Sequence, residues 1–289
     1  MKIDGRTELL GVFGCPVAHT KSPAMHNALF EALRLNAVYL PLPATKETFA
    51  SAVQGLMALG FRGANATLPF KELLADFALE VSEISKFTKS ANTLYWKGGK
   101  IGGTLCATTT DPLGALKGLE QSGVEVEGKQ VAILGNGGAA AAISFALLER
   151  GSKLTVVCRN EARGRALTDR LAAHFPEAIP GLQTFKTFES EAPDVIINTT
   201  PVGMAPNSAE TPLPGAKFRP GQTVYDIVYT PPKTKLLSDA EAAGCKILNG
   251  EGMLVYQGLA SFRLWFPEET ANMGDDFLAS IMKRALEEI

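Results

Sequence analysis

The segment KQVAILGNGGAAAAISFALLERG, residues 129–151, restricts the fold more than any other part of the chain. Val131 to Leu134 reads as a short buried strand that runs into Gly135, Asn136, Gly137, Gly138, Ala139 and Ala140, and then into a helix of small residues. A G-x-G-x-x-A run between strand and helix is the pattern of a dinucleotide-binding βα unit. Gly135 permits the tight turn, Gly137 lets backbone approach a pyrophosphate, and Ala140 allows close packing, while the N–H groups that open the helix face the phosphate charge. Glycines also serve ordinary βα turns, so the run counts because a second strand, KLTVVC at 153–158, completes the unit. The cofactor is chosen at the end of that strand, where an NAD site usually places Asp or Glu. Here the chain reads Cys158, Arg159, Asn160, Glu161, Ala162, Arg163. The planar forks of Arg159 and Arg163 suit a 2′-phosphate, so NADP is expected. NAD is kept as an alternative because Glu161 stands close by, and the plain reading of the arginines is a solvated basic start to a helix over 163–175 that also carries Arg165 and Arg170.

The rest of the chain alternates strands with helices. Strands are expected at 9–14, 37–44 and 63–68, with helices at 22–35, 46–60 and 72–79 between and after them. Ser22 reads as the N-cap of the first helix, with Pro23 in its first turn. A hairpin is expected over 92–105 around Gly98 and Gly99, followed by a helix at 111–123 with Asp111 at its start. Beyond the glycine motif come strands at 194–200, 223–231 and 246–250 and a helix at 233–244. Such alternation argues for an α/β fold with mostly parallel sheets. The 289 residues allow two domains of ordinary size. We place them at 1–111 and at 112–250, the second a Rossmann-type dinucleotide domain. The helices at 251–266 and 275–289 return to the first, and Phe277, Leu278, Ile281, Met282, Ala285 and Leu286 form an apolar face expected to cover its sheet.

Charge and composition exclude other classes. A formal charge of −2 offers no electrostatic footprint for nucleic acid, and a small-molecule partner fits better. The longest apolar run, 139–148, is about half the ~20 residues of a membrane span, so no membrane partner is expected. MKIDGRTELL lacks the apolar core of a signal peptide, so the cytoplasm is the expected compartment. The four cysteines are scattered, with no CxxC and no nearby histidine pair, and no metal is expected. Monomer and homodimer both stay open.

Eight motifs then occur in order: GCPVAHTKSPAMHN (14–27), GANATLPFKE (63–72), SANTL (90–94), TTDPLG (109–114), LGNGGAA (134–140), NTTPVGM (198–204), YDIVYTPPKTKLL (225–237) and GEGMLVYQGLASF (250–262). In these the chain resembles the shikimate dehydrogenases and their quinate and shikimate dehydrogenase relatives, over nearly its whole length. The resemblance implies NADP-linked interconversion of 3-dehydroshikimate and shikimate in aromatic amino-acid (chorismate) biosynthesis. It implies that 1–111 is the substrate-binding and catalytic domain, with Lys71 the catalytic lysine and Asp111 its partner carboxylate. An ammonium can stabilise the alkoxide formed on hydride transfer and protonate it. It further implies carboxylate contacts from Thr20 and Ser22, with Tyr229 nearby, and ring-hydroxyl contacts from Thr67, Asn92 and Gln257. Thr200, Val228 and Gly250 join Gly135, Asn136, Gly137, Gly138, Ala139, Arg159 and Arg163 as cofactor residues. Apart from the resemblance, Lys71 reads as an exposed lysine at a helix start, Ser22 as a cap, Asn92 as a turn residue and Gln257 as the polar side of a helix. His19 and His26 flank the first motif and are assigned to packing or surface, and His174 to a solvated helix end.

Six features depart from the family pattern. Thr20 stands where serine is usual, a mild change because both are hydroxyls. Thr109 and Pro112 stand in the usual N-T-D-G, and the stretch from Asn92 to Asp111 is about three residues longer than expected. Asn136 replaces the commonest alanine of the glycine loop, and Cys158 replaces an asparagine before Arg159. The 104–112 stretch therefore keeps two alternatives in view: a dehydrogenase for quinate or a related cyclitol acid, using NAD or NADP, and a dinucleotide-binding sensor without catalysis.

Overall fold

The apolar runs gather into two sheets in the computed structural model, which describes residues 3–288. The chain divides into two compact units, one taking the chain up to Thr110 together with everything from Val255 onward, the other taking Asp111–Leu254. Asp111, counted with the first domain from sequence, thus opens the second unit.

The first unit runs β1 (Glu8–Gly14), α1 (Ser22–Ala32), β2 (Ala37–Pro43), α2 (Phe49–Ala58), β3 (Gly63–Ala66), β4 (Glu80–Val81), α3 (Glu83–Thr88), β5 (Thr93–Trp96) and β6 (Leu105–Thr108). Its sheet has the order β2-β1-β3-β5-β6-β4. β5 runs antiparallel to both neighbours, and the other pairings are parallel. Two expectations need correction here, and one helix is added to them. No helix spans 72–79: Leu79 N–H donates to Leu105 O at 2.9 Å, and Glu80 and Val81 pair with Cys106 and Ala107. Sheet pairing therefore draws the chain out, leaving a single 3₁₀ turn at Leu74–Phe77 around buried Leu74. α3 was unread although Ser82 caps it by accepting from Ser85 N–H at 3.4 Å. Ser22 is not a cap; that position falls to Lys21, and no side chain caps the helix.

The second unit runs α4 (Asp111–Gln121), β7 (Gln130–Leu134), α5 (Gly138–Glu149), β8 (Lys153–Cys158), α6 (Glu161–His174), β9 (Gly181–Thr184), β10 (Val195–Asn198), β11 (Thr223–Asp226), α7 (Lys235–Ala242) and β12 (Lys246–Leu248). All six strands are parallel, in the order β12-β11-β10-β7-β8-β9. Numbered from β7 this is 3-2-1-4-5-6 read from the β9 edge, the Rossmann arrangement. β9 was not expected. α6 begins at Glu161, two residues before the expected 163, because Asn160 Oδ1 accepts from Arg163 N–H at 3.0 Å and caps it there. β11 stops at Asp226 rather than 231, since Asp226 Oδ1 turns back to accept from Val228 N–H at 3.1 Å. His174 is half-buried against Phe145 and Phe175, with ring centroids 4.7 and 4.8 Å away, so it is not a solvated end.

The chain closes with α8 (Glu251–Trp265), α9 (Pro267–Thr270) and α10 (Asp275–Glu287). α8 takes the first unit's sheet: Trp265 Nε1–H donates to Leu94 O at 2.9 Å and Ser261 Oγ accepts from Asn65 at 3.1 Å. With that place taken, α10 packs on α1 instead of on the sheet. Leu278, Ile281, Met282 and Leu286 are buried there, whereas Phe277 is 55% exposed and lies off the expected face.

Beneath α8, His26 stacks on Tyr39 at 4.3 Å and lies parallel to Phe262 at 6.1 Å. It is fully buried and neither ring nitrogen has a hydrogen-bond partner among the described residues. Burial among rings lowers its pKa from the ordinary 6.5 to about 3. Between those values the unfolded chain binds a proton that the folded chain refuses, so this group makes stability rise with pH across the window. At pH 5 the cost is about 2 kcal/mol relative to pH 7, from a gap of roughly 1.5 pH units below 6.5. Urea unfolding of wild type and His26→Phe at both pH values checks this; equal losses of stability in the two proteins would refute it.

Candidate functional site

In the first unit the carboxyl ends of β1, β3 and β6 and the amino end of β5 share one edge of the sheet, because β5 runs against its neighbours. The chain leaves β1 toward Thr20 and Ser22, leaves β3 into Thr67 and Lys71, enters β5 from Asn92 and leaves β6 into Thr109 and Thr110. Carboxyl ends of strands are where α/β sheets take ligands. Backbone bonds set the register of this edge. Thr67 N–H donates to Phe13 O at 2.9 Å, tying β3 to β1, and Ala91 N–H donates to Lys71 O at 2.8 Å, placing Lys71 beside the residue that precedes Asn92. Thr20 Oγ1 accepts from Ser22 N–H at 3.4 Å and donates to Ser22 Oγ at 3.3 Å, so the two hydroxyls form a pair.

Asn92 is 2% exposed, and Thr110 N–H donates to its Oδ1 at 2.9 Å. A backbone N–H can only donate, so this bond fixes the amide orientation. Asn92 Nδ2 then faces Gln257 Oε1 at 3.3 Å and Thr110 Oγ1 at 3.0 Å. Thr20, Ser22, Thr67, Lys71 and Gln257 are half-buried. Sequence reasoning missed Thr110, whose signal was a threonine directly before Asp111. The family departures fall away from this edge or inside it. Thr109 is 3% exposed, and Pro112 is the second residue of α4, where no intrahelical bond is lost. The 97–104 turn between Asn92 and Asp111 lies at the far end of the β5–β6 hairpin, about 13 Å from Asn92 at ~3.4 Å per residue.

Asp111 and Tyr229 belong to the second unit: Asp111 opens α4, and Tyr229, 36% exposed, follows β11. The structure therefore collects six of the eight expected catalytic and substrate residues, Thr20, Ser22, Thr67, Lys71, Asn92 and Gln257, in one unit.

The second unit has its topological switch between β7 and β10, whose strands pair but whose flanking connections leave in opposite directions. Gly135 sits there at φ 118°, and a Cβ on it would lie 2.7 Å from Thr199 Oγ1. Gly137 and Gly138 are exposed, nothing lies within 4 Å of where their Cβ atoms would be, and no side chain caps α5. Open N–H groups at a helix start with room for approach suit a pyrophosphate. Ala139 is half-buried beside them, and Asn136 Nδ2 donates to Asn160 O at 3.4 Å, tying the glycine loop to the cap of α6. Arg159 and Arg163 are exposed, and neither guanidinium has a partner among the described residues. Glu161 pairs instead with Arg165 at 3.7 Å. Two unengaged guanidinium groups after β8, with the nearby carboxylate drawn away, fit a 2′-phosphate better than a bare ribose.

Thr200, Val228 and Gly250 are linked by a buried carboxylate that sequence reasoning overlooked. Asp226 accepts from Asn198 Nδ2 at 3.0 Å, Val228 N–H at 3.1 Å and Thr234 Oγ1 at 2.7 Å, and Asn198 Oδ1 accepts from Thr200 Oγ1 at 2.7 Å. Burial raises the Asp226 pKa, while these three donors pull the other way. Its signal was an aspartate at the end of an apolar strand. Gly250 N–H donates to Val228 O at 3.1 Å, and a Cβ there would fall 1.9 Å from Ile227 O, so no larger residue fits. Among the described residues no cluster of His, Cys, Asp and Glu forms a metal site, and no helix is long and apolar enough to cross a membrane.

Comparison with known proteins gives the same picture from another direction. Residues 12–94 match the shikimate dehydrogenase substrate binding domain, and residues 250–272 match the shikimate 5'-dehydrogenase C-terminal domain. A shikimate dehydrogenase (NADP(+)) of Moorella thermoacetica is 39% identical, the match taking in 100% of this chain and 95% of the relative. The shikimate 5-dehydrogenase of Listeria monocytogenes, solved in complex with shikimate and NAD, superposes with a TM-score of 0.88 at 32% identity over 98% of each chain. The quinate dehydrogenase of Corynebacterium glutamicum, solved with NAD, gives a TM-score of 0.84 at 26% identity over 96% of this chain and 99% of its own. The expected α/β fold, with its parallel Rossmann sheet, agrees with these structures. Identity near 40% along the full length leaves one conclusion: the chain belongs to the shikimate dehydrogenase family.

Proposed function

We propose that this chain catalyses the NADP-dependent, reversible reduction of 3-dehydroshikimate to shikimate in aromatic amino-acid biosynthesis. The observation that carries the reading is the first unit's sheet edge, where Lys71 is held through Ala91 beside the joined amides of Asn92 and Gln257. A nicotinamide cofactor held by the second unit would supply the hydride for the ring ketone. Lys71 gives the developing alkoxide its proton, and Asp111 orients the ammonium and accepts from the ring hydroxyl. Thr67, Asn92 and Gln257 bind ring hydroxyls, while Thr20 and Ser22 donate to the carboxylate and Tyr229 lies near it; Ser22 is available for this because it caps no helix. We assign the first unit to the substrate and the second to the cofactor. The glycine turn with Asn136 and Ala139 takes the pyrophosphate, Arg159 and Arg163 the 2′-phosphate, and Thr200, Val228 and Gly250 complete the cofactor's surroundings.

The test is reduction of NADP⁺ by shikimate, repeated with quinate and with NAD⁺. Shikimate with NADP⁺ should exceed each alternative by at least about tenfold in kcat/KM. A quinate preference would support the second reading, which the likeness to quinate dehydrogenase favours. Tight NADPH binding with neither acid oxidised would replace catalysis with sensing. The same reading places the protein in the cytoplasm, in keeping with four free thiols, as a monomer or homodimer that light scattering distinguishes.

A further inference from the structure

We infer that Ser261 is a positioning residue for the ring-hydroxyl site, holding the amides of Asn92 and Gln257 in one orientation from behind. The inference rests on the dehydrogenase reading above and concerns a residue that does not touch the substrate in that reading. Ser261 lies one helical turn after Gln257 on α8 and is fully buried. Its Oγ donates to Gln257 O at 3.1 Å, the back-bond open to any helical serine. That uses its single proton and leaves its lone pairs for neighbours on the sheet. Those neighbours come from three places: Asn65 Nδ2 at 3.1 Å, Thr93 Oγ1 at 2.8 Å and Thr110 Oγ1 at 3.2 Å.

The protons of this network have one consistent order. Asn92 O can only accept, so Asn65 turns its Nδ2 toward it and toward Thr93 and Ser261, which leaves Asn65 Oδ1 to accept from Tyr39 O–H at 2.6 Å. Thr110 N–H fixes Asn92 Oδ1 as an acceptor, and the single proton of Thr93, 2.8 Å from both that oxygen and Ser261 Oγ, is shared between the two, since Ser261 has given its own to Gln257 O. Asn92 Nδ2 therefore donates, both to Thr110 Oγ1 and to Gln257 Oε1. Because Thr110 Oγ1 receives that proton, its own hydrogen goes to Ser261, and Ser261 passes the direction on to Gln257 O. The result is a ring from Asn92 to Thr110 to Ser261 to the main-chain carbonyl of Gln257, closed through the Gln257 side chain by the direct amide–amide bond. With Oε1 engaged as acceptor, the orientation of the Gln257 amide follows from that of Asn92.

Removing the Ser261 hydroxyl opens the ring without leaving a stranded group. Asn65 keeps Asn92 O and Thr93, and the Thr110 hydroxyl can turn to Asn92 Oδ1, 3.2 Å away. The fold survives that change, but Thr110 can no longer hold Asn92 Nδ2 and bond Asn92 Oδ1 with equal geometry. The helix amide and the sheet amide lose their common reference.

The experiment is steady-state oxidation of shikimate with NADP⁺ by Ser261→Ala, Asn92→Ala and the double variant. Ser261→Ala should raise KM for shikimate about tenfold while kcat changes less than about threefold and KM for NADP⁺ less than twofold. In the Asn92→Ala background the same change should alter KM for shikimate by less than about twofold, since both act through one amide. An unchanged KM in Ser261→Ala overturns the inference, as does a full effect that persists without Asn92, or a parallel loss in kcat and both KM values. A second readout needs no substrate: exchange of the Asn92 side-chain amide protons, assigned with Asn92→Ala, should quicken at least about tenfold in Ser261→Ala. If wild type fails to oxidise shikimate, the functional reading falls, and this exchange rate alone decides the positioning role: unchanged exchange overturns it.

Discussion

Lys71→Ala lowers kcat by about 10³-fold in both directions, with KM for shikimate changed far less. General acid–base catalysis by a placed side chain contributes roughly 10²–10⁴-fold, and here the same group also balances the alkoxide charge. The main-chain bond of this residue survives the substitution, since Lys71 O accepts from Ala91 N–H at 2.8 Å, and the side chain is only half-buried at a sheet edge. Thermal unfolding should therefore move by no more than a few degrees, as expected for a change of well under about 1 kcal/mol. Small primary amines added to the buffer should restore part of the rate, since they supply the missing ammonium. A kcat within tenfold of wild type would remove Lys71 from the reaction.

Replacing both Arg159 and Arg163 with alanine lowers kcat/KM for NADP⁺ by about 10²-fold or more and leaves NAD⁺ within about threefold. Each charge-assisted bond to phosphate is worth roughly 1.5–3 kcal/mol, and two such partners together reach the size stated. The substitutions leave α6 intact, because its cap is the Asn160 side chain accepting from the Arg163 backbone, which alanine retains. Glu161 stays engaged with Arg165 at 3.7 Å, so the double variant does not acquire a ribose-binding carboxylate merely by losing its arginines. Parallel losses with NADP⁺ and NAD⁺ would mean that the pair supports the loop and not the 2′-phosphate. The gap between cofactors should also narrow as salt rises, since exposed charges are screened.

Much of this architecture could be read from periodicity. The glycine turn between β7 and α5, the strands β1, β2, β3 and β8, and the two long C-terminal helices follow local apolar spacing that tertiary packing did not override. What escaped reading depends on distant partners. Residues 72–79 carry a helical pattern, yet pairing of Glu80–Val81 with β6 captures the chain first. Ser22 has the residue type of a cap, but the helix is set one residue earlier, at Lys21. Among site residues, Asn92 and Gln257 were legible through motif order, whereas Asn65, Thr93, Thr110 and Ser261 look like ordinary small polar residues until β3, β5, β6 and α8 converge. Asp226 escaped for the same reason, because its three donors lie as far as 28 positions away in sequence.

The division of the chain has a consequence for synthesis on the ribosome. The second unit is one continuous stretch, Asp111–Leu254, whereas the first is assembled from residues up to Thr110 and those from Val255 onward. The N-terminal strands emerge first but lack Ser261 and Trp265, which bond Asn65 and Leu94 on their sheet. The younger stretch can thus finish folding while the older one still waits with its aromatic surface uncovered. For that interval, a dozen seconds or so at roughly 5–20 residues per second, Tyr39, His26 and their neighbours are a target for chaperones, and release of the final helices ends the exposure.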